Sequence, residues 1–184
     1  MWTPAMKSFV TRLVHKYHDE LKEKGYPVRE IREVKFSRSV RTHGSCTTHY
    51  DNTVTITISE VTFSGGNETL KNTILHELTH SIRGCKGHEE VWQRYADEIG
   101  KIYGVKIQQY VSKEERVACK EYKESRYNWK VTCPSCGHSS KYYRKPKVVD
   151  AIMNGRKCTC SCGYVGNDFK LESLKKGVKI YGIR

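Results

Sequence analysis

Ile74-Leu75-His76-Glu77-Leu78-Thr79-His80-Ser81-Ile82 is the stretch on which the fold turns. Successive residues of a helix are about 100° apart, so positions four apart share a face, and a helix here offers the imidazoles of His76 and His80 to one metal ion with Glu77 beside them. Zn2+ held by three protein ligands keeps an open position for water, and the third ligand is sought where the chain folds back. His88 is that candidate. Gly84 and Gly87 bracket a short turn, and His88 opens a second helical pattern with Val91, Trp92, Tyr95, Ile99 and Ile102, which places it in the first turn of a returning helix. Two histidines a turn apart also occur as ordinary packing residues. An apolar line (Leu70, Ile74, Leu78, Ile82), a Gly84 able to end the helix and the later histidine favour the metal site.

Working outward, Thr53 to Ser59 alternates as a strand, with Val54, Ile56 and Ile58 on one face and threonines on the other, and Asp51-Asn52 suits a hairpin turn into it. Ile31 to Arg38 alternates less regularly and reads as a second strand. The expectation is a small antiparallel sheet. Ser64-Gly65-Gly66-Asn67 breaks the chain, Asn67 is the expected cap of the metal-site helix and Glu68 puts a carboxylate in its first turn. Near the N-terminus Thr3 caps and Pro4 starts a helix whose apolar positions are Met6, Phe9, Val10, Leu13, Val14, Tyr17 and Leu21. His15 and His18 on it have no ligand-spaced partner and are read as surface or packing residues. The helix from His88 should run to Tyr103 and end at Gly104, with Trp92 and Tyr95 in the core. Residues 1–110 then form one domain and 111–128, a mixed-charge run, its connection to a module at 129–184.

That module is read from its cysteines. Five of the eight lie between Cys133 and Cys162. Cys133-Pro134-Ser135-Cys136-Gly137 is a zinc knuckle, and Cys158-Thr159-Cys160-Ser161-Cys162-Gly163 is a second, irregular one in which Cys160 or Cys158 partners Cys162, with Cys160 preferred. Together they suit a tetrahedral four-cysteine site on two hairpins, a zinc ribbon. Cys46, Cys85 and Cys119 are expected to act as small hydrophobes, although Cys85 lies near enough to His88 in sequence to touch the metal site. The N-terminus shows no basic stretch followed by an apolar run, and no segment has the length of a membrane span. A reducing cytoplasmic setting follows as the expectation, nucleoid or nucleus included, with no membrane partner and a monomer.

The formal net charge is +13 and the sequence pI about 9.4, which points to a polyanion rather than to solubility alone. Basic and aromatic residues alternate through Arg126, Tyr127, Trp129 and Lys130 and again through Lys141, Tyr142, Tyr143, Arg144, Lys145 and Lys147. The second group is the expected nucleic-acid contact, suited to phosphates and unstacked bases.

The ensemble resembles the SprT-like metalloprotease family, which includes the Spartan proteases that digest proteins crosslinked to DNA. Its carrying residues are Arg38 to Gly44 with Cys46, Ile56-Thr57-Ile58-Ser59, Leu75 to His80, Gly87-His88 followed by Trp92, and the cysteine pairs. The resemblance implies an α+β, zincin-like protease domain with helices packed on the sheet, a C-terminal zinc ribbon, zinc ligands His76, His80 and His88, and Glu77 as the catalytic residue. The second knuckle departs from the family's usual CxxC. Two zinc ions are expected, one catalytic and one structural at Cys133, Cys136, Cys160 and Cys162. The expected function is peptide hydrolysis, Glu77 taking a proton from the zinc-bound water, directed to proteins at nucleic acid and above all to DNA-bound or DNA-crosslinked ones. The alternative is a non-catalytic zinc protein that binds nucleic acid, its histidine site closed by a fourth ligand such as Cys85 or His43.

Overall fold

The computed structural model describes residues 2–109 and 113–174, and of 113–116, 118 and 119 only the backbone. The expected connection at 111–128 and the last stretch of the expected module at 175–184 thus lie partly outside the described residues, as does the packing expected of Cys119. The chain divides into two compact units, Met1–Tyr122 and Lys123–Arg184. A helix, α4 (Lys113–Ser125), spans the division.

In the first unit α1 (Pro4–Glu23) starts as its sequence predicts: Thr3 Oγ1 accepts the Met6 N–H at 3.2 Å and Pro4 occupies the first turn. The helix buries Val10, Val14, Tyr17 and Leu21, while Phe9 is left half exposed. Three strands follow, β1 (Ile31–Ser37), β2 (Gly44–Thr48) and β3 (Val54–Ser59), in the order β1-β3-β2. Asn52, with φ of 64°, makes the turn into β3. β2 pairs antiparallel with β3, but β1 pairs with β3 in parallel, so the sheet is mixed and not antiparallel as expected. The cause is the apolarity of β3. Val54, Ile56 and Ile58 are wholly buried on one face, and Thr55 and Ser59 are buried on the other. A strand covered on both faces takes the sheet's centre, and β1 is left with its free edge. The chain reverses through β2 between them, so β1 and β3 run the same way, and the stretch from 38 to 53 is long enough for the crossover a parallel pair needs.

A 3-10 turn (Glu60–Gly65) leads into α2 (Gly66–Ser81). The N-cap is Gly65, so Asn67 lies inside the first turn and is not the expected cap; the preceding 3-10 turn delivers the chain to the helix two residues earlier. The other end also differs from expectation. α2 stops at Ser81 and not at Gly84, because Ile82 leaves in extended conformation and bridges to Val28. The buried guanidinium of Arg29 takes the place of a glycine cap, donating from Nη1 to the Ser81 and Ile82 carbonyls at 3.1 Å each and from Nε to Asn52 Oδ1 at 2.9 Å. His18, buried in α1, holds the Arg29 carbonyl through Nε2 at 3.1 Å, the packing role expected of it. α3 (Glu90–Tyr103) ends at a left-handed Gly104, as the sequence predicts. The core gathers Val10, Val14, Leu21, Val54, Ile56, Ile58, Leu70, Ile74, Leu75, Leu78, Trp92 and Ile99 around α2.

The Ser81 and Ile82 carbonyls also accept the backbone N–H groups of Arg29 and Cys85, at 3.0 and 3.1 Å, so a variant without the fork keeps those bonds and loses the charge-assisted ones, together with the partner of Asn52 Oδ1. Arg29→Ala is expected to cost about 2–4 kcal/mol, read as a lower thermal midpoint, with Arg29→Lys recovering only part because an ammonium cannot fork to both carbonyls and Asn52. An unchanged midpoint in Arg29→Ala would refute the capping role.

The second unit centres on β4 (Trp129–Thr132), flanked antiparallel by β5 (Ser139–Tyr142) and β8 (Lys170–Ser173). A short helix, α5 (Lys147–Met153), and a small ladder of β6 (Cys158–Thr159) with β7 (Val165–Gly166) complete it. Its core is small: Val131, Val149, Ile152, Phe169 and Leu171, with Cys133 and Cys158. No helix among the described residues is long and apolar enough to cross a membrane.

Candidate metal centres and a buried carboxylate

α2 places His76 and His80 one turn apart, with Nε2 atoms 3.3 Å from each other. His88 Nε2 joins them at 3.0 Å from His80 and 3.1 Å from His76. His88 does not sit in the first turn of α3, as its sequence pattern suggested; it precedes Glu89, the N-cap, because the turn after Ile82 brings it over α2 before the helix begins. Backbone carbonyls fix two of the rings. His76 Nδ1 donates to the Gln108 carbonyl at 3.0 Å and His80 Nδ1 to the Cys85 carbonyl at 3.1 Å. A carbonyl only accepts, so these Nδ1 atoms carry the hydrogen and both Nε2 atoms turn bare lone pairs inward.

Burial first, and then the neighbouring His80 and His88, push the His76 imidazole down to about 4, while burial lowers His80 and His88 as well. All three are neutral at pH 7, the form that binds a metal. Convergent lone pairs about 3 Å apart repel unless a cation lies among them. Nitrogens at Zn–N distances of about 2.0–2.1 Å and tetrahedral angles stand roughly 3.3 Å apart, so the triad fits a zinc ion. The Trp92 ring walls the site, its centroid 4.9, 5.3 and 4.5 Å from those of His76, His80 and His88, and is buried in the core as expected.

Glu77 follows His76 on α2 and is 6% exposed; burial pushes its carboxyl up to about 8. It lies under β2, where Gly44 faces it. Cys46, also half-buried, has its thiol pushed up to about 12 by burial and then by Glu77. The nominees for a fourth ligand do not join the triad. The Cys85 thiol is buried in the core and the residue reaches the site only through its carbonyl, while the His43 carbonyl accepts from Ser59 N–H and Thr62 Oγ1. Among the described residues the group holds three histidines and no further His, Cys, Asp or Glu.

In the second unit the thiols of Cys133, Cys136, Cys160 and Cys162 gather within 4.8 Å of one another. Cys133 and Cys162 Sγ are 3.9 Å apart and Cys136 and Cys160 Sγ 3.7 Å, matching the roughly 3.8 Å between thiolates bound at about 2.3 Å to tetrahedral zinc. In the first knuckle Gly137 N–H donates to Cys133 O; in the second, one residue tighter, Gly163 N–H donates to Cys160 O. Both glycines have positive φ, 69° and 90°. The backbone N–H of Cys162, with the surrounding thiols, holds Cys160 down to about 6. Cys158 lies in β6 with its thiol in the small core, toward the Val148 and Arg156 carbonyls, and outside the four-thiol group.

The basic and aromatic residues of this unit are dispersed. Tyr143 stacks on Tyr127 at 4.3 Å and 7°, with Lys141 over the Tyr127 ring and paired to Glu124. Tyr142 packs partly buried on the core, Lys145 pairs with Asp150, and Arg144 and Lys147 are exposed. Two residues of structural consequence, Gln108 and Arg29, escaped the sequence reading, and Cys85, named there for its thiol, acts through its carbonyl. Gln108 and Cys85 act through carbonyls that every residue has, and Arg29 had no pattern around it, whereas the Gly-x-Cys of β2 was a signal of close packing.

An α+β unit thus gathers His76 and His80 of α2 with His88 of the following turn into a group able to hold a metal ion, with the buried Glu77 on the same helix. The family model described as the SprT-like family matches residues 10–113, and the chain belongs to that family. A comparison with curated proteins gives no match.

Proposed function

We propose that this chain is a zinc-dependent metallopeptidase acting on proteins held at nucleic acid, DNA-bound or DNA-crosslinked proteins foremost. One observation carries the reading: three neutral imidazoles converge within 3.3 Å beside a glutamate that no fold requirement explains. His76, His80 and His88 would hold the zinc, which when bound would supply an acidified water and polarise the scissile carbonyl. Glu77, whose carboxyl a nearby metal cation would return to the ionised form, would accept a proton from the water and pass it to the leaving amine. Gln108 and Cys85 hold the imidazoles in the metal-binding tautomer, and Trp92 keeps bulk water from their flank. The competing reading, a closed structural site, asks for a fourth protein ligand and gives a buried carboxylate no role.

The substrate class rests on charge. Lys123–Arg184 holds 14 Lys and Arg against 4 Asp and Glu, a net +10 of the chain's +13. A charge so concentrated neutralises phosphates and releases counterions, and the exposed Tyr143 edge of the Tyr127–Tyr143 stack suits base contact. The test measures cleavage of a DNA-binding protein with and without DNA at low and high salt. Cleavage is expected to rise with DNA at low salt and to lose that rise at high salt; replacing Arg144, Lys145 and Lys147 by alanine should weaken DNA binding and the stimulation together. Equal rates in all four conditions would leave a metallopeptidase without nucleic-acid direction.

A further inference from the structure

We propose that Gly44 is a positioning residue for Glu77: the missing side chain at the start of edge strand β2 is the slot in which the carboxylate stands. Gly44 and Cys46 are the half-buried positions of β2, and Ser45 and Thr47 between and beyond them are exposed, so the inward face over α2 carries only small residues. A Cβ built on Gly44 would meet Glu77 Oε1 at 2.8 Å, Glu77 Cγ at 2.9 Å and the Thr57 carbonyl at 3.0 Å. The Oε1 contact alone is escapable, since a carboxylate rotates. The Cγ contact is not, because moving Cγ swings the whole side chain or shifts α2 against the sheet.

Backbone conformation does not ask for glycine here. Gly44 is absent from the residues of positive φ and pairs in register with Ile58 as an ordinary ladder residue. Glycine in a strand loses stability relative to a residue with a side chain, and its usual reason is close approach of another group. The group that approaches is the one whose placement decides proton transfer. The edge strand therefore sets the position of Glu77 by what it lacks, and any side chain at 44 leaves the histidine triad in place while displacing the carboxylate. The catalytic half of this inference rests on the metallopeptidase reading; the packing half does not.

The experiment is a double-mutant cycle of Gly44→Ala and Glu77→Ala in the full chain. Gly44→Ala alone is expected to lower the thermal midpoint of the metal-free protein. In the Glu77→Ala background the same change should lower the midpoint clearly less, because the two Glu77 contacts are gone and the Thr57 carbonyl is the close contact left. With metal loaded, Gly44→Ala should keep its cobalt stoichiometry and its Co2+ absorption spectrum, lose roughly 10- to 100-fold in kcat, and keep KM within about twofold, as expected when a misplaced group costs the chemical step and not binding. If Gly44→Ala alone fails to fold and the double variant folds, the proposal stands. It is overturned if both fail to fold, if the midpoint falls equally in the two backgrounds, or if an active wild type and Gly44→Ala share one kcat. An inactive wild type with the expected smaller loss in the Glu77→Ala background would defeat the peptidase reading and leave the Gly44–Glu77 contact intact.

Discussion

Glu77→Gln is expected to keep the metal of the histidine site and to hydrolyse peptide roughly 10²–10⁴-fold more slowly, the range over which a positioned general base acts. Gln matches Glu in shape, so the slot under Gly44 is still filled and the imidazoles of His76, His80 and His88 are untouched. What is lost is a group able to take a proton. Linkage adds a second readout in the metal-free protein. Burial raises the folded-state pKa of Glu77 to about 8 from the ordinary 4.5. Between those values the unfolded carboxyl has released its proton while the folded one retains it, so the wild type loses stability as pH rises through that window. Gln cannot ionise and escapes the loss. Metal-free Glu77→Gln should therefore melt above metal-free wild type at pH 8, with the gap closing as pH falls toward 4.5. Wild-type hydrolysis in this variant would place the proton transfer elsewhere. An equal pH dependence of melting would show that Glu77 is not desolvated in the folded chain.

The parts legible from sequence are those whose geometry is local. The i, i+4 spacing of His76 and His80, the capping of α1 by Thr3 and the left-handed Gly104 after α3 each depend on a few neighbouring residues, and there periodicity and structure agree. The unread parts are decided between segments. Alternation identified β1 and β3 but carries no direction, and the parallel pairing follows from β3 being covered on both faces. α2 looked as though it should run to Gly84 because nothing near Ser81 says that Arg29, from 52 residues earlier, waits to bond its carbonyls. His88 belonged by period to a helix, yet the turn that delivers it to the metal group holds it just outside one. Side-chain identity named the histidine and cysteine groups; the carbonyls of Gln108 and Cys85 that orient the rings had no letter of their own to betray them.

The ambiguity among the three late cysteines yields to the same kind of argument and leads to the second large effect. Pairing of Cys158 with Gly166 in β6 and β7 turns one thiol into the core and leaves Cys160 and Cys162 at the hairpin tip beside Cys133 and Cys136. Lys123–Arg184 is a short chain with a core of a few side chains, and units below about 70–80 residues rarely draw more than about 3–5 kcal/mol from such a core. A structural zinc site contributes on the order of 10–16 kcal/mol at pH 7. Metal, then, and not apolar burial, should hold this unit folded. Cys133→Ser in the full chain is expected to lower zinc content from two equivalents to one and to open the second unit to limited proteolysis, while the first unit keeps its resistance and the zinc at His76, His80 and His88. Cys158→Ser should keep both equivalents and cost only about 1–3 kcal/mol, the burden of a hydroxyl in an apolar site. Loss of an equivalent in Cys158→Ser but not in Cys160→Ser would exchange the two ligands, and a Cys133→Ser protein still holding two zinc ions and resisting protease would mean that Cys133 is not a ligand.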